Sequence, residues 1–173
     1  MLRTKNIILL SSVVALSCHA EGSANHSPES LAQFFDQLEG NWRCEGGTSR
    51  GKETAANISF SPSYDAKVYE YRQTATKGHE SKIGSMWAYD QANQTLVVSR
   101  HYINGQNVNF DLFAGETWEN NKLVLHAKPL WGKLWAENRF TYEFKNSNYF
   151  ELTWEVNRGE WKMGDYLHCN RVD

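Results

Sequence analysis

After residue 40 the sequence divides into about ten short runs rich in valine, isoleucine, threonine and aromatic residues, separated by glycine, asparagine and aspartate. Many short strands of this kind in one chain are typical of β-sandwiches and β-barrels. The chain has 173 residues, which is enough for one domain with a core of its own. The sequence therefore predicts an all-β domain.

A short amphipathic helix is predicted immediately before the strands. Ser27 has the side chain of an N-cap residue, and Pro28 is suited to the first helical turn. Gly40 is expected to end the helix, because glycine is common just after a helix C-terminus. One face would carry four apolar residues at helical spacing: Leu31, Phe34, Phe35 and Leu38.

The dipeptide Asn104-Gly105 is a strong signal for a two-residue hairpin turn. A turn there opposes His101 to Val108. Because side chains alternate between the two faces of a strand, this pairing sorts the hairpin into an apolar and a polar face. The face expected to point inward carries Val97, Ser99, His101, Val108, Phe110 and Leu112. The face expected to meet solvent carries Arg100, Asn107, Asn109 and Asp111.

Three further turns are predicted within "WENNKL", "KNSNY" and "VNRGEW". They pair Glu119 with Lys122, Trp118 with Leu123, Phe140 with Trp154, Tyr142 with Leu152, Phe144 with Phe150, Val156 with Trp161, Glu155 with Lys162 and Trp154 with Met163. The last turn sends five residues of the final strand inward: Trp161, Met163, Leu167, Cys169 and Arg171. A bulge at Gly164-Asp165 would break this alternation.

The first and last strands can be joined through two cysteines. Opposing Cys44 to Cys169 in antiparallel strands also opposes Trp42 to Arg171, where the guanidinium would stack on the indole. A cross-strand disulfide would then close the sheet into an antiparallel up-and-down barrel of about eight to ten strands. Exported chains usually oxidise such a pair, and two free buried thiols are the alternative.

Three segments carry a resemblance to a known family. Gly40-x-Trp42 at the start of the first strand, with an arginine from the far end of the chain over the tryptophan, resembles the lipocalin and wider calycin pattern. The stretches "GNWRCEG", "MWAYDQANQTLVV" and "GEWKMGDYLHCNR" are similar to a bacterial family of exported lipocalin-like domains without an assigned function. The likeness covers roughly residues 31–173 and implies a calycin-like barrel.

The N-terminus is typical of an export signal. Two basic residues precede an apolar run that is too short to span a membrane, so we predict a signal over residues 1–20 with cleavage after Ala20. Residues 21–27 would form a flexible linker and residues 28–173 the barrel domain. The protein would be periplasmic or secreted, with no transmembrane span beyond the signal. Because "ALSC" is a loose lipobox, lipid anchoring through Cys18 is the alternative.

A barrel of this size can hold one small ligand, and such cavities are mostly apolar with a few polar groups. The chain has 7 tryptophans, which is more than a minimal core needs. We therefore predict that the protein binds a small apolar or aromatic molecule in its interior, although core packing explains any single aromatic residue as well. The candidate binding residues are Tyr69, Tyr71, Trp87, His101, Phe110, Trp131, Tyr142 and Trp154.

Two other functions stay open. His101, if it faces inward, is a weak candidate for acid–base catalysis in an isomerase, cyclase or lyase. The loops at the mouth, including residues 128–138, could instead bind another envelope protein. No metal-ligand spacing, haem-attachment motif or cofactor motif is present, so no metal or cofactor is expected. Basic residues are scattered among acidic ones, which disfavours nucleic acid as a partner, and the oligomeric state stays open.

Overall fold

The computed structural model describes residues 28–78, 80–119, 121–130, 132 and 134–172. The predicted export signal, the linker, Cys18 and Trp131 lie outside the described residues. Within the described part of the chain there are one helix and ten strands. Their bounds are α1 Pro28–Leu38, β1 Gly40–Thr48, β2 Glu53–Ser63, β3 Val68–Lys77, β4 Ser81–Asp90, β5 Thr95–Asn104, β6 Asn107–Glu119, β7 Lys122–Lys128, β8 Asn138–Asn146, β9 Tyr149–Asn157 and β10 Trp161–Val172.

The ten strands form a closed antiparallel barrel. Each strand pairs with its neighbours in sequence, and β1 pairs with both β2 and β10. Because the barrel is closed, each of the ten described strands has a neighbour on both sides. The predicted fold class is therefore confirmed, and the barrel is consistent with a calycin-like fold.

The seam between β1 and β10 has the predicted register. Cys44 lies opposite Cys169 and Trp42 opposite Arg171. The two cysteines form a disulfide with 4.0 Å between their Cα atoms, and both are fully buried. A disulfide at this seam is compatible with an oxidising compartment.

The last turn of α1 is fastened to the seam by two side chains. The Arg171 guanidinium carbon lies 4.2 Å from the centre of the Trp42 ring. Arg171 also donates to the carbonyl oxygens of Glu39 at 2.5 Å and Gln37 at 2.6 Å. The Trp42 indole donates to the carbonyl oxygen of Leu38 at 2.8 Å. Because the last carbonyls of a helix have no partner within the helix, these bonds satisfy groups that would otherwise be left unpaired.

The backbone conformation and the close packing at position 40 require a glycine there, two residues before Trp42. Its φ of +125° lies in a region that other residues rarely adopt. A Cβ atom there would also lie 2.6 Å from an Arg171 nitrogen. Gly40, Trp42 and Arg171 thus act together: they end helix α1 and hold its last turn against the barrel.

Helix α1 closes one end of the barrel. The Phe34 ring centre lies 4.7 Å from that of Trp118, and the Phe35 ring centre lies 4.2 Å from that of Tyr69. The described residues include no helix with the length and apolarity of a membrane span. At the other end, hereafter the open end, β1 ends at Thr48 and β2 begins at Glu53.

The β5–β6 hairpin turns one residue later than predicted. Asn104 pairs with Asn107, which leaves Gly105 and Gln106 as the turn, and His101 lies opposite Phe110 rather than Val108. The sorting of side chains into two faces is the one predicted, because each pairing moved by an even number of residues.

The orientation of that hairpin is the reverse of the prediction. Leu96, Val98 and Phe113 point inward and are each 2% exposed, whereas Phe110 is 66% exposed. His101 is also exposed, and its ring covers Gly84 so closely that a Cβ on this glycine would lie 2.3 Å from a ring carbon. The inward placement predicted for His101 and Phe110 is therefore wrong. Both faces of the hairpin carry apolar residues, so the hydrophobic pattern alone does not determine which face points inward.

In the β9–β10 hairpin, two offsets of one residue add up to a shift of two residues, which restores the predicted alternation of side chains beyond the second offset. Trp161 pairs with Asn157 instead of Val156, and a bulge lies between Met163 and Asp165. Beyond the bulge Cys169 is buried as predicted. Before it, Met163 is 43% exposed. Trp161 lies on the outer face, where its ring centre is 4.2 Å from the guanidinium carbon of Arg139. The inward placement predicted for Trp161 and Met163 is wrong.

Candidate functional site

The barrel interior contains a cavity of about 260 Å³ toward the open end, hereafter the outer cavity. Its size equals the liquid volume of about nine water molecules. The wall consists mainly of apolar and aromatic side chains with a few polar groups among them. The lining residues are Gln73, Ile83, Arg100, Tyr102, Phe140, Leu152, Trp154, Asp165, Tyr166 and Leu167.

A much smaller space of about 30 Å³, hereafter the inner space, lies on the α1 side of the outer cavity. Five residues line both spaces and so form the floor of the outer cavity: Gln73, Ile83, Arg100, Phe140 and Leu152. The remaining walls of the inner space are Tyr71, Ser85, Trp87, Val98, Phe113, Leu125 and Tyr142. Among the described residues, the interior is thus nearly filled near α1 and leaves a larger space above this floor.

An ion pair lies on the inner face of the barrel. Arg100 of β5 donates from Nη2 and Nε to the same oxygen of Asp111 on β6, at 2.6 and 3.2 Å. The two side chains are 20% and 31% exposed. The Arg100 guanidinium carbon also lies 5.2 Å from the Phe113 ring centre and 4.9 Å from that of Phe140. The cation is therefore fixed both by its partner carboxylate and by two aromatic rings.

The sequence prediction placed Arg100 and Asp111 in solvent, so it missed the most polar feature of the cavity. The inward alternation of Leu96 and Val98 runs directly into Arg100. Continuing that alternation along β5 identifies Arg100 as inward only once the inner face of the strand is known. The signal was overlooked because a charged pair is ordinarily an outer-face feature.

Two buried tyrosines form a hydrogen-bonded chain that reaches the floor. Tyr71 donates to Gln73 Oε1 at 2.7 Å and is also hydrogen-bonded to Tyr142. Burial raises the pKa of Tyr142 and, with the neighbouring Tyr142 phenol, raises that of Tyr71, while the Arg100 charge opposes both shifts. Both hydroxyl groups therefore keep their protons near neutral pH, and the chain is made of neutral groups.

This burial gives an alkaline stability prediction. An unfolded tyrosine loses its proton near the ordinary pKa of 10.0, whereas folded Tyr142 keeps it to higher pH. The unfolded state then binds fewer protons, so the free energy of unfolding falls above pH ~10 by up to about 1.4 kcal/mol per pH unit for each such tyrosine. Urea unfolding of Tyr142→Phe between pH 9 and 11 should show a shallower decline than the wild type. Tyr64→Phe, at a position 72% exposed, is the control and should keep the wild-type slope. Equal slopes for Tyr142→Phe and the wild type would contradict the prediction.

The cavities bring together four of the residues predicted to bind ligand. Tyr71, Trp87 and Tyr142 line the inner space, and Trp154 lines the outer cavity. Tyr69 is 9% exposed and packs against Phe35 of α1. Its side chain thus belongs to the closed end of the barrel.

His101 and Phe110 lie on the outside of the barrel, so the hypothesis of an interior catalytic histidine loses its structural basis. Phe110 belongs to an exposed apolar groove of about 390 Å³ that also contains Val108, Leu112 and Trp135. An exposed groove of this kind is what the protein-binding alternative requires, and that alternative stays a prediction.

Among the described residues, no group of three or more histidine, cysteine, aspartate or glutamate side chains is placed to hold a metal ion. A scan against protein-family models finds no family that matches this chain, and a search of the curated proteins finds no match either. The geometry and chemistry of the outer cavity are therefore the basis for inferring a function.

Proposed function

We propose that the protein is an exported binding protein that holds one small, largely apolar molecule in the outer cavity. The observation that carries the proposal is the contrast between the two halves of the barrel interior. Near α1 the interior is filled by large aromatic side chains such as Phe34 and Trp87, which are at most 1% exposed. Toward the open end, side chains of similar size leave about 260 Å³ unfilled.

The architecture suits a binding site that exists before the ligand arrives. A closed barrel whose first and last strands are crosslinked by Cys44 and Cys169 has little freedom to collapse into its cavity. A preformed site lowers the entropic cost of binding. The lining, with Ile83, Phe140 and Leu152 beside a few polar groups, has the composition of small-molecule sites.

The volume limits the size of the ligand. Sites for drug-sized molecules are about 300–1,000 Å³, and the outer cavity lies just below that range. Compounds with one or two rings therefore fit better than long-chain lipids. The Cys44–Cys169 disulfide and the apolar N-terminal run support export, and the likeness of "GNWRCEG" to exported lipocalin-like domains points the same way.

The test compares the same substitution inside and outside the barrel. Ile83 lines the outer cavity, whereas Ile103 lies on the outer face of the neighbouring strand β5. Calorimetry with a panel of one- and two-ring aromatic compounds should detect binding to the wild type. Ile83→Trp should weaken that binding by about tenfold or more, because it fills the cavity, and Ile103→Trp should leave it unchanged.

Mass spectrometry of compounds extracted from the protein purified from its native source provides a second measurement. A bound small molecule that is absent from Ile83→Trp supports the proposal. If no compound binds in either experiment, or if Ile83→Trp binds as tightly as the wild type, the proposal is wrong.

A further inference from the structure

We infer that the ligand is a small aromatic acid that binds with its carboxylate on the floor of the outer cavity, against Arg100 and Gln73, and with its ring toward the open end. This inference rests on the proposed function, because it names the class of molecule that the same cavity would take. It is carried by the hydrogen-bond donors on the floor and by the geometry of the ion pair.

The hydrogen-bond donors of the Arg100 guanidinium are only partly used within the protein. A guanidinium has five N–H donors arranged to meet a carboxylate with two parallel bonds. Asp111 accepts from Nε and Nη2 through a single oxygen, and no described residue accepts from Nη1. Since Arg100 lines the outer cavity as well as the inner space, this free edge is available at the floor.

The rings around Arg100 determine how a ligand can approach it. Phe113 and Phe140 lie 5.2 and 4.9 Å from the guanidinium carbon. These contacts and the bonds to Asp111 hold the cation inside the barrel rather than letting it extend into solvent. An acceptor in the plane of the guanidinium is therefore the complementary group, and a carboxylate matches its geometry best.

Gln73 provides a second hydrogen-bond donor on the floor, because Tyr71 donates to its side-chain oxygen. Gln73 uses its carbonyl oxygen to accept from Tyr71, which leaves its amide nitrogen as a donor. Gln73 also lines the outer cavity. Gln73 and Arg100 thus present two neighbouring donors to the same floor, and a ligand that binds there must bring acceptor oxygens.

The charged residues of the outer cavity affect which ligands bind and how they are oriented. Asp165 lines the outer cavity and is exposed, so it places a carboxylate at the rim. An acid is attracted to the Arg100 cation at the floor, which favours binding with the carboxylate inward. An amine at the floor would meet the Arg100 cation, so a basic ligand is disfavoured. The ring of the acid would then contact Leu152 and Trp154.

The test uses three probes of nearly equal size: 2-naphthoate, 2-naphthamide and 2-naphthylmethylamine. Calorimetry on the wild type should give the order acid, amide, amine, with the acid about 10- to 100-fold tighter than the amide, as expected for a charge-assisted hydrogen bond. Arg100→Met should remove this preference, so that the acid binds about as weakly as the amide. The amide's own affinity should change by less than about threefold.

Because Arg100→Met leaves Asp111 without its partner, the double variant Arg100→Met/Asp111→Leu provides a second measurement. The matched control is Arg139→Met/Glu155→Leu on the outer face. That arginine has a similar exposure, 28%, a carboxylate bond of 2.7 Å and an aromatic ring at 4.2 Å. We expect the Arg100 double variant to lose the preference for the acid and the Arg139 double variant to keep it.

The outcomes separate this inference from the proposed function. If the three probes bind the wild type equally, or if the amine binds best, the ligand is not an acid although the cavity still binds small molecules. If the Arg100 double variant still prefers the acid, the inference is likewise overturned. If none of the probes binds and Ile83→Trp changes nothing in the wider panel, the proposed function itself fails.

Discussion

Replacing Cys44 and Cys169 together by alanine is expected to lower the free energy of unfolding by about 4–5 kcal/mol. The crosslink restricts the unfolded chain, and the two cysteines are 125 residues apart, so nearly the whole barrel lies within the closed loop. Domains are typically stable by about 5–15 kcal/mol, so a loss of this size would remove much of the total. Urea unfolding monitored by tryptophan fluorescence measures it.

The m-value, which is the slope of the unfolding free energy against urea concentration, should change together with the unfolding midpoint. A crosslinked unfolded chain is more compact, so removing the bond should expose more surface on unfolding and raise the m-value. The wild type in a strong reductant is the control, because it keeps both sulfur atoms and loses only the bond. The reduced wild type and the double-alanine variant should agree within about 1 kcal/mol, since the bond and not the side-chain volume causes the effect. A loss of less than about 1 kcal/mol in both would show that loop closure does not determine the stability of this barrel.

The closure of the barrel could be predicted from the sequence because two residues of the first strand and two of the last have matching spacings. In antiparallel strands, the spacing from Trp42 to Cys44 must match that from Cys169 to Arg171. Few registers satisfy a disulfide and a stacked arginine at the same time. The correct burial of Cys169, however, also depended on a late turn at Asn157 and a bulge at Gly164-Asp165, which together shift the register by two residues. The sequence suggested the bulge but not the late turn.

The faces of β5 and β6 could not be assigned in the same way. Both faces carry apolar residues, with Val97 and Phe110 on one and Val98 and Phe113 on the other. Periodicity finds the two faces but does not say which is inside. What decides it is non-local: Arg100 is acceptable in the interior because Phe140, from β8, covers it.

The outer cavity itself could not be predicted from the sequence. An inward aromatic residue predicts packing, but the space left unfilled depends on how rings from different strands fit together. Trp87, which the sequence singled out, fills the interior, whereas Arg100 and Gln73, which it did not, form the floor of the cavity. Sequence patterns thus identified the barrel and some of its aromatic lining, and they missed the polar groups on the floor of the cavity.

Replacing Phe34 by alanine is expected to lower the free energy of unfolding by about 3–5 kcal/mol, the usual cost of removing a buried phenylalanine. Phe34 is fully buried, and its ring contacts those of four residues from the barrel wall: Trp87, Trp118, Tyr142 and Phe144. Helix α1 has 11 residues, which is too short to be stable in water without such packing. Losing this ring should therefore release α1 from the barrel before the strands unfold.

Two measurements distinguish this local effect from general damage. Hydrogen exchange should accelerate in α1 of Phe34→Ala far more than in β5, where Leu96 and Val98 keep their own neighbours. The exposed Gln33 is on the same helix, and Gln33→Ala should change the unfolding free energy by less than about 0.5 kcal/mol. Because an apolar cavity lined by aromatic rings stays dry and accepts small apolar molecules, benzene should stabilise Phe34→Ala more than it stabilises the wild type. Equal acceleration of exchange in α1 and β5 would instead mean that the helix and the barrel unfold as one unit. The prediction that α1 detaches before the strands unfold would then be wrong.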